Sequence, residues 1–273
     1  MRLLLLSSLF AAVIAVGAPA AAVEGPWAQG TKASARLIAA GMGDDGRLNA
    51  GIEITMPLGW HTYWRTPGDA GVAPAIDFSA SENAGSVDVA FPLPTRLDDG
   101  FSVTNVYMDR VLLPVSVVVG DSTKPVDLAV TLDLGVCQEI CIPDQVSARL
   151  TVPVGESDPA AGAILAEAAA LVPSPPEPGV FDVESIVRDG GTDKRPVFRI
   201  VAIAPDAGTA DVFVEGPTDW WPDMPVFTGE TSGKASWTVK FSRLGAETPI
   251  AGAAFRVTIA SGGRAIDRTL PLD

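Results

Sequence analysis

The sequence predicts an all-β protein whose chain forms two sandwich-like domains. From Ser34 onward it consists of short runs that are rich in β-branched residues or that alternate apolar with polar residues. This period-2 pattern is typical of strands. Turn-forming residues separate the runs, since 27 Gly and 23 Pro are spread along the chain. One alanine-rich stretch near residue 165 has the composition of a helix instead.

Residues 1–22 have the pattern of a secretory signal peptide. Arg2 precedes an apolar run from Leu3 to about Val16, and the small residues PAAA follow. The apolar run is too short to span a bilayer comfortably. We therefore expect export of the protein, cleavage after about Ala22 and no membrane insertion of the mature chain.

Residues 30–154 are expected to form an immunoglobulin-like β-sandwich, because the length and the spacing of the strand-like runs suit that fold. These runs are SARLIAA, LNAGIEITMPL, SVDVAF, VLLPVSVVVG, VDLAVTLDL and VSARLTVPV.

Residues 155–179 are expected to be a short helix and a Pro-rich linker. Ser157 is the predicted N-cap, Pro159 lies in the first turn, and the helix continues to about Val172. The segment PSPPEPG then favours extended backbone. Residues 180–273 return to strand-like runs and predict a second β domain, to which no motif assigns a role.

The acidic composition excludes several classes of function. The formal net charge is −14, and a negative surface repels nucleic-acid backbones and anionic lipid headgroups. We therefore expect neither nucleic-acid binding nor peripheral membrane binding. No nucleotide-binding, hydrolase or zinc-protease motif is present in the sequence.

The stretch GVCQEICIPD contains the only two cysteines, Cys137 and Cys141. In an oxidising compartment we expect them to be bonded to each other. With a single histidine, His61, the chain offers too few ligands for a structural zinc site. A disulfide across so short a loop stabilises a fold by only about 2 kcal/mol. A structural staple, an exchangeable disulfide and a Cu(I)-binding dithiol all remain open at this point.

Acidic residues surround the pair in sequence, namely Asp133, Glu139 and Asp144. Negative charge disfavours a thiolate, so the reduced cysteines are expected to be weak spontaneous nucleophiles. This composition favours a disulfide that is attacked by the thiolate of another protein.

Three motifs in order, GWHTYWRTPGDAG, YMDRVLLPV and LGVCQEICIPD, make residues 30–154 resemble the periplasmic N-terminal domain of the thiol:disulfide interchange protein DsbD and its relatives, which include the copper-tolerance protein ScsB. The resemblance implies a protein-disulfide reductase type of relay in the periplasm that needs no cofactor. Its expected partners are a membrane thiol carrier and thioredoxin-like periplasmic proteins. Electrons are expected to come from separate proteins, because the chain ends without transmembrane and thioredoxin-like parts.

The resemblance also implies roles for individual residues. Cys141 forms the mixed disulfide with the partner, and Cys137 resolves it. The stretch RLDDGFSVTNVY is expected to form a cap loop, with Phe101 as the lid and Asp98 and Asp99 beside it. Tyr107, at the end of this stretch, is placed among the surroundings of the site.

The motif GWHTYWRTPGDAG contains further candidates. The resemblance implies that this segment lies beside the cysteine loop, with Tyr63 as the residue expected to contact the pair. Trp64 is expected in the core. His61 lacks a neighbouring nucleophile in sequence and is expected at the surface or in a hydrogen bond. Arg65 and Asp69 are expected to form an ion pair that braces the turn.

In the second domain, TDWWPDMPVF places Trp220 beside Trp221. If the two side chains are exposed, they would form a docking patch for a partner. If they are buried, they would close the sandwich.

The complete prediction is an exported thiol–disulfide relay. The alternatives are a binding or assembly module with a structural disulfide and a copper-tolerance factor that holds Cu(I) on the dithiol.

Overall fold

The computed structural model describes residues 24–272. The signal peptide predicted for residues 1–22 lies outside the described residues. The described chain is built from strands, with one α-helix and one short 3-10 turn. The predicted all-β class is therefore confirmed.

The first part of the chain contains eleven strands. They are β1 (Ala28–Gln29), β2 (Ser34–Met42), β3 (Arg47–Thr55), β4 (His61–Gly68), β5 (Ala75–Asp77), β6 (Ala84–Val89), β7 (Thr95–Asp98), β8 (Val103–Met108), β9 (Arg110–Val119), β10 (Val126–Cys137) and β11 (Cys141–Val152).

These strands form two antiparallel sheets that enclose one hydrophobic core. Sheet I has the order β1-β2-β3-β9-β6, and sheet II has the order β11-β10-β4-β8-β7, with β5 paired to β10. Alternate residues of the strands face the core, for example Val126, Leu128 and Val130 of β10, which is the arrangement that period-2 sequence predicts. Trp64 is fully buried in this core, as expected.

Helix α1 (Pro159–Ala170) packs on sheet I, and its buried side chains are Ala161, Leu165 and Ala168. Its N-cap is Asp158, which accepts hydrogen bonds from the backbone N–H groups of Ala160 and Ala161. The predicted cap, Ser157, was wrong by one residue. Either residue type suits an N-cap, and the position of Pro159 at the first helical residue decides in favour of Asp158.

The remaining strands are β12 (Asp182–Thr192), β13 (Arg195–Ile203), β14 (Asp211–Glu215), β15 (Trp221–Pro222), β16 (Val226–Thr231), β17 (Lys234–Ser242), β18 (Ala254–Ser261) and β19 (Arg264–Pro271). They form two further antiparallel sheets, whose inner faces bury a second core of aromatic and aliphatic side chains. The exact boundaries proposed for the two domains stay a prediction.

The adjacent tryptophans of this second part have different environments. Trp220 is buried in the second core, where its ring stacks on Phe198, whereas Trp221 is 62% exposed. Trp220 therefore has the buried environment considered from the sequence, and Trp221 has the exposed one.

The two parts of the chain are in direct contact. Phe213 of β14 belongs to the second part, yet its ring packs edge-on against Trp64 in the first core, with ring centroids 5.1 Å apart. Among residues 24–272, no helix is long and apolar enough to cross a membrane.

Candidate functional site

The two cysteines lie at the end of a long hairpin. Cys137 is the last residue of β10 and Cys141 the first of β11, and the two are direct cross-strand partners. Their Sγ atoms are joined in a disulfide, and the Cα atoms lie 4.1 Å apart. Only residues 138–140 separate the strands, so the disulfide closes the turn end of the hairpin.

The disulfide lies on the face of sheet II that points away from the main core. Cys137 forms a small separate cluster with Tyr63 and Val106. The residues next to these three in sequence, such as Val136, point into the main core on the opposite face of the sheet. This division follows from strand geometry, since successive side chains point to opposite faces.

The two cysteines differ in accessibility. Cys137 is 2% exposed, whereas Cys141 is exposed at the start of its strand. An attacking thiolate approaches one sulfur and displaces the other. Of the two, Cys141 is therefore the cysteine that is open to approach from solvent.

The hydroxyl group of Tyr63 contacts both sulfurs. Its oxygen lies 3.1 Å from Sγ of Cys137 and 3.3 Å from Sγ of Cys141. Burial raises the pKa of Tyr63, and the Asp99 carboxylate raises it further. The hydroxyl therefore keeps its proton at neutral pH and is available to donate a hydrogen bond to a thiolate.

Two glycines form a slot for the Tyr63 ring. A Cβ atom at Gly71 would lie 2.2 Å from a ring carbon, and one at Gly135 would lie 3.3 Å from another. Gly71 also has a φ of +99°, which other residues rarely adopt. The close approach of backbone to two edges of the ring limits how far the ring can move relative to these glycines.

His61 is a site residue that the sequence reasoning did not identify. It is the cross-strand partner of Cys137, it is buried, and its ring packs edge-on against Tyr63 with centroids 5.5 Å apart. The signal was available in the sequence, because residues two apart on a strand share a face. His61 therefore lies on the same face as Tyr63.

Burial of His61 makes stability depend on pH. Desolvation lowers the pKa of His61 in the folded protein, while the unfolded value is about 6.5. As the pH falls below that value, the unfolded state binds a proton more readily than the folded state, so stability decreases. We expect urea unfolding to give a lower free energy at pH 5.5 than at pH 7, with a smaller difference in a His61→Gln variant. Equal differences in the two proteins would contradict this.

The predicted lid residue does not cover the disulfide. Phe101 is 99% exposed at the tip of the β7–β8 hairpin, so the predicted lid contact is absent from this structure. The reason is local: the Asp99 carboxylate accepts hydrogen bonds from the N–H groups of Phe101 and Ser102, each 2.8 Å long. These bonds fix a tight turn that directs the phenyl ring into solvent.

The two aspartates of this hairpin have different surroundings. Asp98 accepts a hydrogen bond from the N–H of Gly100 and is exposed. Asp99 is also exposed, and its electrostatic effect reaches Tyr63. Asp99 is thus the carboxylate of the hairpin that acts on the tyrosine beside the sulfurs.

Tyr107 was wrongly placed among the surroundings of the site. Its side chain is buried in the main core, and its hydroxyl donates a hydrogen bond of 2.6 Å to the carbonyl oxygen of Pro92. Its neighbour Val106 occupies the position beside the cysteine instead. A strand alternates its faces at every residue, so a placement that is off by one residue selects the wrong side.

Two of the acidic residues near the cysteines, Asp144 and Asp133, accept hydrogen bonds from other parts of the protein. Asp144 is buried and accepts three backbone N–H groups, from Thr31, Lys32 and Ala33, each at 2.7 Å. Asp133 accepts a hydrogen bond from the Gln145 side chain. Asp144 therefore fastens the start of the described chain to the cysteine hairpin.

The prediction of an ion pair between Arg65 and Asp69 is wrong. The Nε of Arg65 donates to Glu215 at 2.8 Å instead, and its guanidinium lies over the Trp64 ring. Asp69 accepts a hydrogen bond from the N–H of Val103. Glu215 is 150 residues away in sequence, so no local pattern could have indicated this partner.

Comparison with known proteins supports these observations. The family model described as "Thiol:disulfide interchange protein DsbD, N-terminal" matches residues 31–153. The fold resembles the crystal structure of the N-terminal periplasmic domain of ScsB from Proteus mirabilis, with a TM-score of 0.71 and 22% sequence identity, covering 92% of this chain and 99% of that chain. A search of curated proteins gave no match. Residues 31–153, which contain the disulfide and Tyr63, are therefore similar to the N-terminal domain of DsbD.

Proposed function

We propose that this protein is a periplasmic thiol–disulfide relay, which accepts reducing equivalents from one protein and passes them to another through Cys137 and Cys141. One observation carries the proposal above the others. The disulfide joins an exposed cysteine to a buried one, and the Tyr63 hydroxyl contacts both sulfurs. This is the arrangement that directional exchange through one sulfur requires.

Reduction of the relay takes two steps. A thiolate of the donor attacks Sγ of Cys141, the Cys137–Cys141 bond breaks, and its electron pair leaves on Cys137, which takes up a proton. The second donor cysteine then attacks the donor sulfur of the mixed disulfide and releases Cys141. The donor ends as a disulfide, and the relay gains two electrons and two protons.

Oxidation of the relay runs through the same sulfur. The Cys141 thiolate attacks a disulfide of the client protein and forms a mixed disulfide with it. Cys137 then attacks Cys141, the original disulfide forms again, and the client is released as a dithiol. The Tyr63 hydroxyl stabilises the Cys137 thiolate whenever it forms.

A purely structural role for the disulfide is less consistent with the hairpin around it. β10 and β11 are each twelve residues long and pair along their whole length. A covalent bond at the turn adds only about 2 kcal/mol to a loop of this size. A strand pair held together by its ladder and by the core has little need of that contribution.

The similarity of residues 31–153 to the N-terminal domain of DsbD supports the choice of partners. The proposed donor is a membrane thiol carrier, and the proposed clients are thioredoxin-like periplasmic proteins that present a reactive cysteine. The periplasmic location agrees with the predicted signal peptide and with the periplasmic domain of ScsB that shares the fold.

Trapping of mixed disulfides tests the proposal. A Cys137→Ser variant keeps the attacked sulfur of Cys141 but lacks the resolving one, so it should accumulate mixed disulfides with thioredoxin-like proteins in the native periplasm. These are detected as bands on non-reducing gels and identified by mass spectrometry. The matched Cys141→Ser variant, whose remaining sulfur is buried, should trap little.

The reduction potential of the pair provides a second criterion. A relay disulfide should equilibrate above about −300 mV, whereas structural disulfides lie below that value. A pair that stays oxidised against periplasmic reductants, together with the absence of any trapped partner, would contradict the relay.

A further inference from the structure

Two arginines of the first part of the chain insert into the second part. Arg65 lies on β4 and Arg96 on β7, and both strands belong to sheet II, which carries the disulfide. Their partners lie on β14 and on the strands beside it. These contacts join the second part of the chain to the strands around the sulfurs.

Arg65 is held by three groups of the second part. Its Nε donates to Glu215 at 2.8 Å, and its Nη2 donates to the Thr258 hydroxyl at 3.1 Å and lies 3.5 Å from the Asp267 carboxylate. The Arg65 side chain is only 11% exposed. A buried guanidinium with both carboxylates in place is rigid, because moving it would leave charges unpaired.

Arg96 and Phe213 form a second point of attachment. The Nε of Arg96 donates to Asp211 at 2.8 Å, and its Nη2 donates to the carbonyl oxygen of Val212 at 2.6 Å. The guanidinium carbon lies 4.2 Å from the centre of the Phe213 ring. Phe213 in turn packs on Trp64, the residue between Tyr63 and Arg65.

Both attachments lie close in sequence to a group that contacts the disulfide or acts on Tyr63. Arg65 follows Tyr63 by two residues on β4, and Arg96 precedes Asp99, whose charge reaches Tyr63, by three residues. The second part of the chain therefore holds β4 at its middle and the hairpin near its tip. Tyr63 therefore connects the two sulfurs, which its hydroxyl contacts, to the attachment at Arg65, which lies two residues further along β4.

We infer that the second part of the chain positions the redox site, and that Arg65 and Glu215 are positioning residues which hold the Tyr63 hydroxyl on the two sulfurs. This inference deepens the proposed relay and rests on it for its biological meaning. It gives the second β region a role, namely that of a rigid support for β4.

The physical reason lies in the short distances involved. A hydrogen bond to a leaving thiolate is effective only near its normal length and direction. A displacement of about 1 Å, caused by a change remote from the reacting atoms, can slow a reaction substantially. Groups that hold a reactive site within such limits are themselves fixed by surrounding contacts, which Arg65 receives from the second part.

The rate at which dithiothreitol reduces the disulfide tests the inference without any partner protein. A Glu215→Gln variant keeps the shape of the side chain but removes the charge that pairs with Arg65. We expect it to slow reduction by about fivefold, because Tyr63 is held less firmly. In a Tyr63→Phe background, the same change should have no further effect, since no hydroxyl remains to be positioned.

An Asp182→Asn variant is the matched control. Asp182 pairs with Arg268 wholly within the second part, so this variant loses a comparable ion pair without touching β4, and its rate should equal that of the unaltered protein. All rates are measured where circular dichroism shows each variant fully folded. If Glu215→Gln does not fold, Thr258→Val replaces it, because that change removes the hydrogen bond from Arg65 and a 3.3 Å bond to Asp267 but leaves both carboxylates beside Arg65 in place.

Two results would overturn the inference. One is a rate of reduction that Glu215→Gln leaves unaltered, and the other is an equal slowing by Glu215→Gln with and without the Tyr63 hydroxyl. Failure of the relay itself would appear elsewhere, as the absence of trapped partners with Cys137→Ser. The two failures are therefore distinguishable.

Discussion

We expect a Tyr63→Phe variant to be reduced by dithiothreitol about a hundredfold more slowly than the unaltered protein, at the lower end of the scale seen when a positioned donor to a developing anion is removed. The Cys137 sulfur leaves as an anion at a site that is almost fully buried, where an unsatisfied charge is costly. Among residues 24–272, Tyr63 is the side chain that hydrogen-bonds the sulfurs. Stopped-flow or quenched-flow kinetics measure the rate.

The chain provides a matched control, because it contains two tyrosines. Tyr107→Phe also removes a buried hydroxyl, but that hydroxyl bonds to Pro92 in the core and lies on the opposite face of the strand. It should cost about 1 kcal/mol of stability and leave the rate of reduction unchanged. Equal rates for the two phenylalanine variants would show that the Tyr63 hydroxyl has no role in exchange.

We expect an Asp144→Ala variant to lose about 3 kcal/mol of unfolding free energy, since three backbone N–H groups lose their charged acceptor at a buried position. The bonds from Thr31, Lys32 and Ala33 are all 2.7 Å long. Urea unfolding followed by fluorescence measures the loss.

Asp133→Ala is the control for this prediction. Asp133 lies on the same hairpin and is exposed, with one hydrogen bond from Gln145, so its removal should change stability by less than about 0.5 kcal/mol. If the two variants were equally stable, the buried carboxylate would not be the anchor that its contacts indicate.

The contact between Tyr63 and the cysteines, which are 74 and 78 residues away, was expected only from the resemblance to a known family. The class of fold, by contrast, could be predicted from the strand pattern of the sequence. Period-2 patterns identify strands because one face of each strand is buried. The close spacing of Cys137 and Cys141 likewise leaves few possibilities other than a hairpin end. These features depend on neighbours in sequence, and local patterns report them well.

The features that were missed depend on the side of the strand or on distant residues. Tyr107 and Val106 differ by one position, and only the register places one in the core and the other beside the sulfur. The orientation of Phe101 depends on hydrogen bonds within a four-residue turn. The partner of Arg65 lies in another sheet altogether, and composition alone cannot identify it.

The anchoring of Asp144 has a practical consequence for anyone who shortens this protein. The three donors to Asp144 come from residues 31–33, and the family match begins at residue 31. An expression product started at Ser34, the first residue of β2, would keep every strand from β2 onward yet leave a buried anion without its amides. A shortened product of this domain should therefore begin upstream of residue 31.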